Sequence, residues 1–312
     1  MTRNVFVAGH KGLVGSALLR NAPQNVEIIT ADRTDLSLAD YSAVCTFLEN
    51  NKIDSVILAA AKVGGIGANA SHHKEFLISN MEIQNTVMNA ASKTGIKNLI
   101  FLGSSCIYPK FAQQPISESS LLTGSLESSN EGYALAKIVG VRLARAIYDE
   151  DHLNFFSLMP TNLYGPNDNF DSKSSHVPAA LMRKFHEAKI TGSPEVIVWG
   201  TGTPRREFMH ADDLALACWH LLDYEMKGGL VNVGTGEDIE IRDFAELMAR
   251  IVGYEGSIKY DSSKPDGTPR KLLDVSKIHS YGWRHQTDLE DGLRMTYKWF
   301  VDALEKGDVR GY

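Results

Sequence analysis

Val5-Phe6-Val7-Ala8-Gly9-His10-Lys11-Gly12-Leu13-Val14-Gly15 reads as four apolar residues, a glycine turn and the opening of a second apolar run. This is the pattern of a strand that turns sharply into a helix. Glycine permits the tight turn and lets backbone N–H groups approach a pyrophosphate at the helix N-terminus. The spacing is G-x-x-G-x-x-G, not the G-x-G-x-x-G of the standard fingerprint. Its place directly after the first strand marks Gly9, His10, Lys11, Gly12, Leu13, Val14 and Gly15 as candidate dinucleotide contacts.

Outward from that turn the same alternation repeats. Short apolar runs at residues 4–8, 26–30, 55–60, 99–103 and 155–159 predict strands. Helices are predicted over 13–21, 41–50, 76–94 and 133–149. Strands apolar on both faces belong in a parallel sheet covered by helices on each side. The predicted fold is therefore α/β, a Rossmann-like doubly wound parallel sheet. After Tyr164-Gly165-Pro166-Asn167-Asp168-Asn169 the chain becomes polar and rich in turns, with short elements at 196–199 and 231–233 and a last helix near 289–304. The expected division is a dinucleotide-binding domain over 1–165, with segments near 205–235 returning to it, and a smaller interleaved C-terminal substrate-binding lobe over 166–312.

Composition narrows the function classes. The 312 residues suffice for one large α/β unit or two fused lobes, and 43% hydrophobic with 22% charged residues is ordinary for a folded protein. A net charge of -6 without any Lys/Arg block argues against a nucleic-acid partner. Cys45, Cys106 and Cys218 are too widely spaced for a disulfide framework or a zinc site, so no metal and a reducing compartment are expected. No run approaches the roughly 18 apolar residues of a membrane span, and the apolar run at 5–8 is too short for a signal-peptide core. The expectation is a cytoplasmic protein with no membrane partner.

Charge at the adenine ribose decides the cofactor. A carboxylate after the second strand favours NAD, and a cation there favours the 2′-phosphate of NADP. Asp32 and Arg33 stand side by side, so this segment supports either. Lys11 adds a second cation inside the turn and tips the reading toward NADP, with Arg33 at the phosphate.

Tyr133-Ala134-Leu135-Ala136-Lys137 sets a phenol and an ammonium four residues apart on one helix face. A nearby cation lowers a phenol's pKa, and such a pair can move a proton at a carbonyl oxygen during hydride transfer. Upstream, Gly103-Ser104-Ser105-Cys106-Ile107-Tyr108-Pro109 leaves a buried strand at its C-terminal end, the edge where ligands collect in doubly wound sheets. Either serine, Ser104 or Ser105, could reach the same carbonyl.

Glycine turn, strand-end serine and Tyr-x-x-x-Lys, in this order, resemble the extended short-chain dehydrogenase/reductase family. Within it, five stretches look like the GDP-L-fucose synthase family: Ala59-Ala60-Ala61-Lys62-Val63-Gly64-Gly65-Ile66, Gly103 to Pro109, Pro160-Thr161-Asn162-Leu163-Tyr164-Gly165-Pro166, Trp199-Gly200-Thr201-Gly202-Thr203-Pro204 and residues 264–274. The resemblance spans nearly the whole chain. It implies epimerisation of GDP-4-keto-6-deoxy-mannose at C3 and C5, then NADPH reduction at C4. Ser104, Tyr133 and Lys137 would serve the reduction, and Cys106 and His176 would be the epimerisation acid/base pair. Their reference pKa values suit that role. It further places Ala60, Gly103, Lys137, Pro160, Asn162, Leu163 and His176 at the cofactor. Lys184, Trp199, Arg206 and Asp266 would hold the substrate, with arginine on phosphate and the indole against guanine.

Two other readings stand beside this one. The first is a 4-epimerase or 4,6-dehydratase of the same family that keeps NAD bound, although dehydratases carry Asp-Glu near the serine, where Ser105-Cys106 stands here. The second is a non-catalytic NADP-binding regulator on the same fold. The helix carrying Tyr133 is apolar nearly all round, which predicts a helix–helix seam in a homodimer.

Overall fold

The computed structural model describes residues 2–65, 69 and 71–312. Ile66, which ends the first of the five quoted stretches, lies outside the described residues. The apolar runs become strands β1 (Arg3–Ala8), β2 (Val26–Ile29), β3 (Ser55–Leu58), β4 (Asn98–Leu102) and β5 (Asn154–Pro160), with β2, at the edge of the sheet, only part-buried. Together with the later β10 (Leu230–Val233) they form, among the described residues, one six-stranded parallel sheet in the order β10-β5-β4-β3-β1-β2. The strand order reverses at β1, which pairs with both β2 and β3.

Helices α1 (Leu13–Arg20), α2 (Tyr41–Asn50), α3 (His73–Lys93) and α4 (Glu131–Asp151) supply the crossovers. A right-handed crossover to β2 and right-handed crossovers back past β1 place α1 on one face and α2, α3 and α4 on the other. Asp40 caps α2 by accepting from the Ala43 N–H at 2.9 Å. Close packing of α4 depends on small residues. A Cβ at Gly132 would lie 2.6 Å from the His73 carbonyl oxygen, and one at Gly140 would overlap the Phe101 ring.

Two buried clusters follow. The first surrounds the parallel sheet and takes in Met209, Leu214, Val231, Leu273, Ile278 and Trp283 from the later chain. The second is built by α5 (Val177–Thr191), α7 (Ile241–Val252) and α9 (Leu289–Lys306), with β7 (Glu195–Trp199) paired to β12 (Ser257–Asp261). Between them run β6 (Asn162–Tyr164) paired with β9 (Phe208–His210), and β8 (Arg205–Arg206) flanked by β11 (Ile239–Glu240) and β13 (Arg270–Lys271). Helix α6 (Ala211–Leu221) packs beside α1, and the short α8 (Ser276–Ser280) beside β10.

Glu207 joins these parts. It is fully buried, and its carboxylate accepts N–H bonds from Thr235 at 2.7 Å, Gly236 at 2.8 Å and Leu273 at 3.0 Å. Its own carbonyl accepts from the Thr161 hydroxyl and the Asn162 amide. A buried carboxylate persists only when its oxygens are satisfied in this way.

Candidate active site

The glycine turn leaves the carboxyl edge of β1, at the reversal point where open α/β sheets bind ligands. Gly9 has φ +95°, and a Cβ there would stand 2.7 Å from the Ala60 nitrogen. A methyl at Gly15 would overlap the Gly9 carbonyl oxygen, so this glycine lets α1 approach the turn. Gly12 has open space instead: its Cβ would meet only the Gly9 oxygen, at 3.5 Å. It caps α1 with no side-chain hydrogen bond, and the first turn carries no acid. The helix N-terminus is thus bare of competing anions and fits a pyrophosphate.

The Asp32/Arg33 pair resolves into two environments. Asp32 is held by Lys11 at 2.7 Å and His10 Nε2 at 3.2 Å, and the Lys11 hydrogen bond keeps its carboxyl below the usual range. Lys11 is therefore committed to Asp32. Arg33 is exposed, and no described carboxylate pairs with it. The residues present accommodate a dinucleotide, with the acid's charge compensated and one cation to spare.

At the end of β4 the chain makes a tight turn over Ser105–Ile107, capped by Ser104 Oγ accepting from Cys106 N at 3.3 Å. Ser105 is buried, whereas Ser104 is half-buried and acts on the Tyr133 phenol. Lys137, one turn beyond Tyr133, is 3% exposed and donates to the Leu102 carbonyl at 2.8 Å. Its ammonium sits 5.7 Å from the Tyr133 ring centroid. Burial pushes Lys137 down to about 8 and pushes the Tyr133 phenol upward, with Ser104 opposing the latter. In the protein alone burial outweighs Ser104 at the phenol, and the Lys137 hydrogen bond goes to the Leu102 carbonyl. A phenol that keeps its proton is a proton donor, which is what reduction of a ketone requires.

Cys106 is buried, and its burial pushes the thiol up. His176 is exposed at the start of α5. The segment before it is tied to the loop after β3 by Gly65 N donating to the Ser174 carbonyl at 2.8 Å. Cys106 thus follows β4, and the segment that carries His176, between β6 and α5, is fastened to the loop that follows the neighbouring strand β3. Asp168 was quoted in the sequence without a role. It is 5% exposed, its Oδ2 has no partner among the described residues, and burial pushes its carboxyl up against the pull of His176 and Arg310.

Trp199 ends β7 with 59% of its surface exposed. Lys184 and Lys264 place their ammonium groups 5.7 and 5.6 Å from the ring, and Lys184 donates to the Ile197 carbonyl at 3.1 Å. An open indole edged by two cations suits a flat base carrying phosphates. Lys264 escaped the reading of single residues because its contact with Trp199 crosses 65 positions. Arg206 donates to the Asp266 carbonyl at 3.3 Å, and burial pushes its guanidinium down to about 10. Both Asp266 carboxylate oxygens accept from Thr201, at 2.7 and 2.8 Å, so this side chain fastens the turn that follows Trp199.

The NAD dependent epimerase/dehydratase family matches residues 5–234. The chain is 49% identical to the GDP-L-fucose synthase of Escherichia coli (strain K12), over 97% of this chain and 98% of the relative. It is 52% identical to GDP-L-fucose synthase 1 of Arabidopsis thaliana, over 95% and 93% of the two chains. Among solved structures it resembles a GDP-L-fucose synthetase from Naegleria fowleri bound to NADP, with a TM-score of 0.89, 26% identity and coverage of 99% and 98%. This chain belongs to the NAD dependent epimerase/dehydratase family.

Proposed function

We propose that this enzyme makes GDP-L-fucose: it epimerises GDP-4-keto-6-deoxy-D-mannose at C3 and C5 and reduces the C4 ketone with NADPH. The observation that carries this is the meeting of Ser104, Cys106, Tyr133 and Lys137 at one strand end, in a chain about half identical to GDP-L-fucose synthases along almost its whole length. NADPH, when bound, supplies the hydride. The Gly9–Gly15 turn holds its pyrophosphate and Arg33 its 2′-phosphate. Ser104 and Tyr133 hydrogen-bond the C4 oxygen, so the negative charge of an enolate or alkoxide falls on two donors. Cys106 and His176 take and return protons at the carbons beside the ketone. Tyr133 gives its proton to the C4 oxygen as hydride arrives. Trp199, Lys184 and Arg206 hold the GDP, with Asp266 shaping the turn beside the indole.

The test mixes protein, GDP-4-keto-6-deoxy-mannose and either NADPH or NADH in deuterated buffer. Oxidation of NADPH with deuterium at C3 and C5 is expected. Deuterium without reduction would replace the reading by a simple epimerase. In Cys106→Ser, deuterium entry should slow by about a hundredfold or more while NADPH still binds; unchanged exchange would remove Cys106 from the chemistry.

Among the described residues no helix is long and apolar enough to cross a membrane, and the three cysteines are free. Both support placing the enzyme in the cytoplasm. For the homodimer the support is the exposed apolar trio Ile78, Leu135 and Val139 on the packed pair α3 and α4. Light scattering at micromolar concentration should give twice the chain mass, and Leu135→Glu should shift the population to monomer. A wild-type monomer would rule the seam out.

A further inference from the structure

The cavity beside Cys106 holds a cation with no role so far. Lys271 closes β13, in register with Arg206 on β8. Registered partners in a parallel pair send their side chains to the same face. The other basic groups nearby are engaged: Arg206 donates to the Arg205 and Asp266 carbonyls, and Lys110 pairs with Glu127 at 2.9 Å. Lys271 makes no ion pair within 4 Å among the described residues, and it lines the same cavity as Cys106, Tyr108, Asn130, Thr268 and Glu127, whose carboxylate also draws on it.

A buried thiol is a poor base because burial disfavours its anion. The groups facing the Cys106 sulfur are Lys271 from β13, Lys137 and Tyr133 from α4, and Ser104 from its own turn. Against the dominant effect of burial, Lys271 is the strongest influence drawing the thiol back down, ahead of Ser104 and Lys137. The relation is mutual: burial pushes the Lys271 ammonium down, and Cys106 is the first influence opposing that.

We propose that Lys271 is a positioning residue for Cys106, its ammonium easing ionisation of the sulfur to the thiolate that takes the proton from a carbon beside the ketone. The proposal rests on Cys106 being an epimerisation acid/base. The proton passes from carbon to sulfur, the electron pair moves onto the C4 oxygen as an enolate, and the ammonium keeps all its protons. Lys271 works through Cys106 and does not touch the sugar.

The test reads the thiol directly, without substrate. In a Cys45→Ser background, iodoacetamide alkylation of Cys106 is followed against pH, with the modified site identified by mass spectrometry. Cys218, fully buried, stays out of reach. Lys271→Met, similar in shape, should raise the midpoint by about one pH unit and slow alkylation about tenfold at a fixed pH below it. Lys271→Arg should restore the midpoint. Ultraviolet thiolate absorbance gives the same midpoint should the reagent not reach the sulfur. An unmoved midpoint in Lys271→Met overturns the proposal, whatever happens to turnover. A raised KM for the GDP-sugar with an unmoved midpoint overturns it in favour of a phosphate contact. Failure of the underlying reading would show separately, as unchanged deuterium exchange in Cys106→Ser.

Discussion

Tyr133→Phe should lose ketone reduction by about a hundredfold to ten-thousandfold, the usual contribution of a positioned proton donor. The substitution removes one oxygen and leaves the ring. That ring packs edge-on to Phe76 at 6.5 Å, and Lys137 lies on the Leu102 carbonyl and not on the phenol. Neither contact needs the hydroxyl, and its partner Ser104 keeps its bond from the Cys106 N–H, so folding and cofactor affinity should hold. Single-turnover NADPH oxidation is the measurement. Near-normal rates would displace Tyr133 from the reaction and leave the buried Lys137 without a catalytic partner. Deuterium exchange should fall less than reduction, because Ser104 still donates to the enolate oxygen.

Gly15→Ala should be nearly as damaging, for a mechanical reason. The added methyl would overlap the Gly9 carbonyl and stand 2.6 Å from the His10 Cα, both backbone atoms with nowhere to yield. Forced overpacking of this kind costs about 1–3 kcal/mol or more. The strain falls on the turn that holds the pyrophosphate. A fall in Tm together with loss of NADPH binding is expected. Gly12→Ala is the control that separates folding from binding. Its methyl meets only the Gly9 oxygen at 3.5 Å, so Tm should hold while NADPH affinity falls, since the methyl occupies the approach to the helix N-terminus. Wild-type stability and affinity in Gly15→Ala would mean the turn does not carry the cofactor.

The first half of the fold was legible because most of its parallel strands are short buried apolar runs bounded by turn residues and alternating with longer helical stretches. Strands β1 to β5 and helices α1 to α4 fall within a few residues of their predicted bounds. Beyond residue 165 the reading thinned. Ala-Asp-Asp-Leu-Ala-Leu-Ala-Cys-Trp-His-Leu of α6 is buried on nearly every side and shows little period. The α7 stripe of Ile241, Phe244, Ala245, Met248 and Val252 was there to be found, with Gly253 at φ +75° as its stop. The site divides in the same way. Ser104, Cys106, Tyr133 and Lys137 sit in short contiguous patterns. Lys271 and Lys264 reach the site through two-residue strands and a cation–ring contact that no local pattern announces. The neutralisation of Asp32 by His10 and Lys11 equally needs three dimensions, since 21 positions separate Lys11 from its partner.

The Glu207 junction bears on how the chain is made. Its hydrogen bonds bind residues 161–162, 235–236 and 273 to one carboxylate and its carbonyl. The sheet gains its last strand only at residue 233, and the first core is closed by Trp283. A ribosome must therefore deliver the chain through residue 283 before the glycine turn at residues 9–15 is backed by a finished scaffold. A sheet of β1 to β5 formed ahead of residues 230–233 would carry an unpaired β5 edge, and long-range closure of this sort is slow. Closure of the first core thus waits on a segment that follows most of the second cluster in the chain.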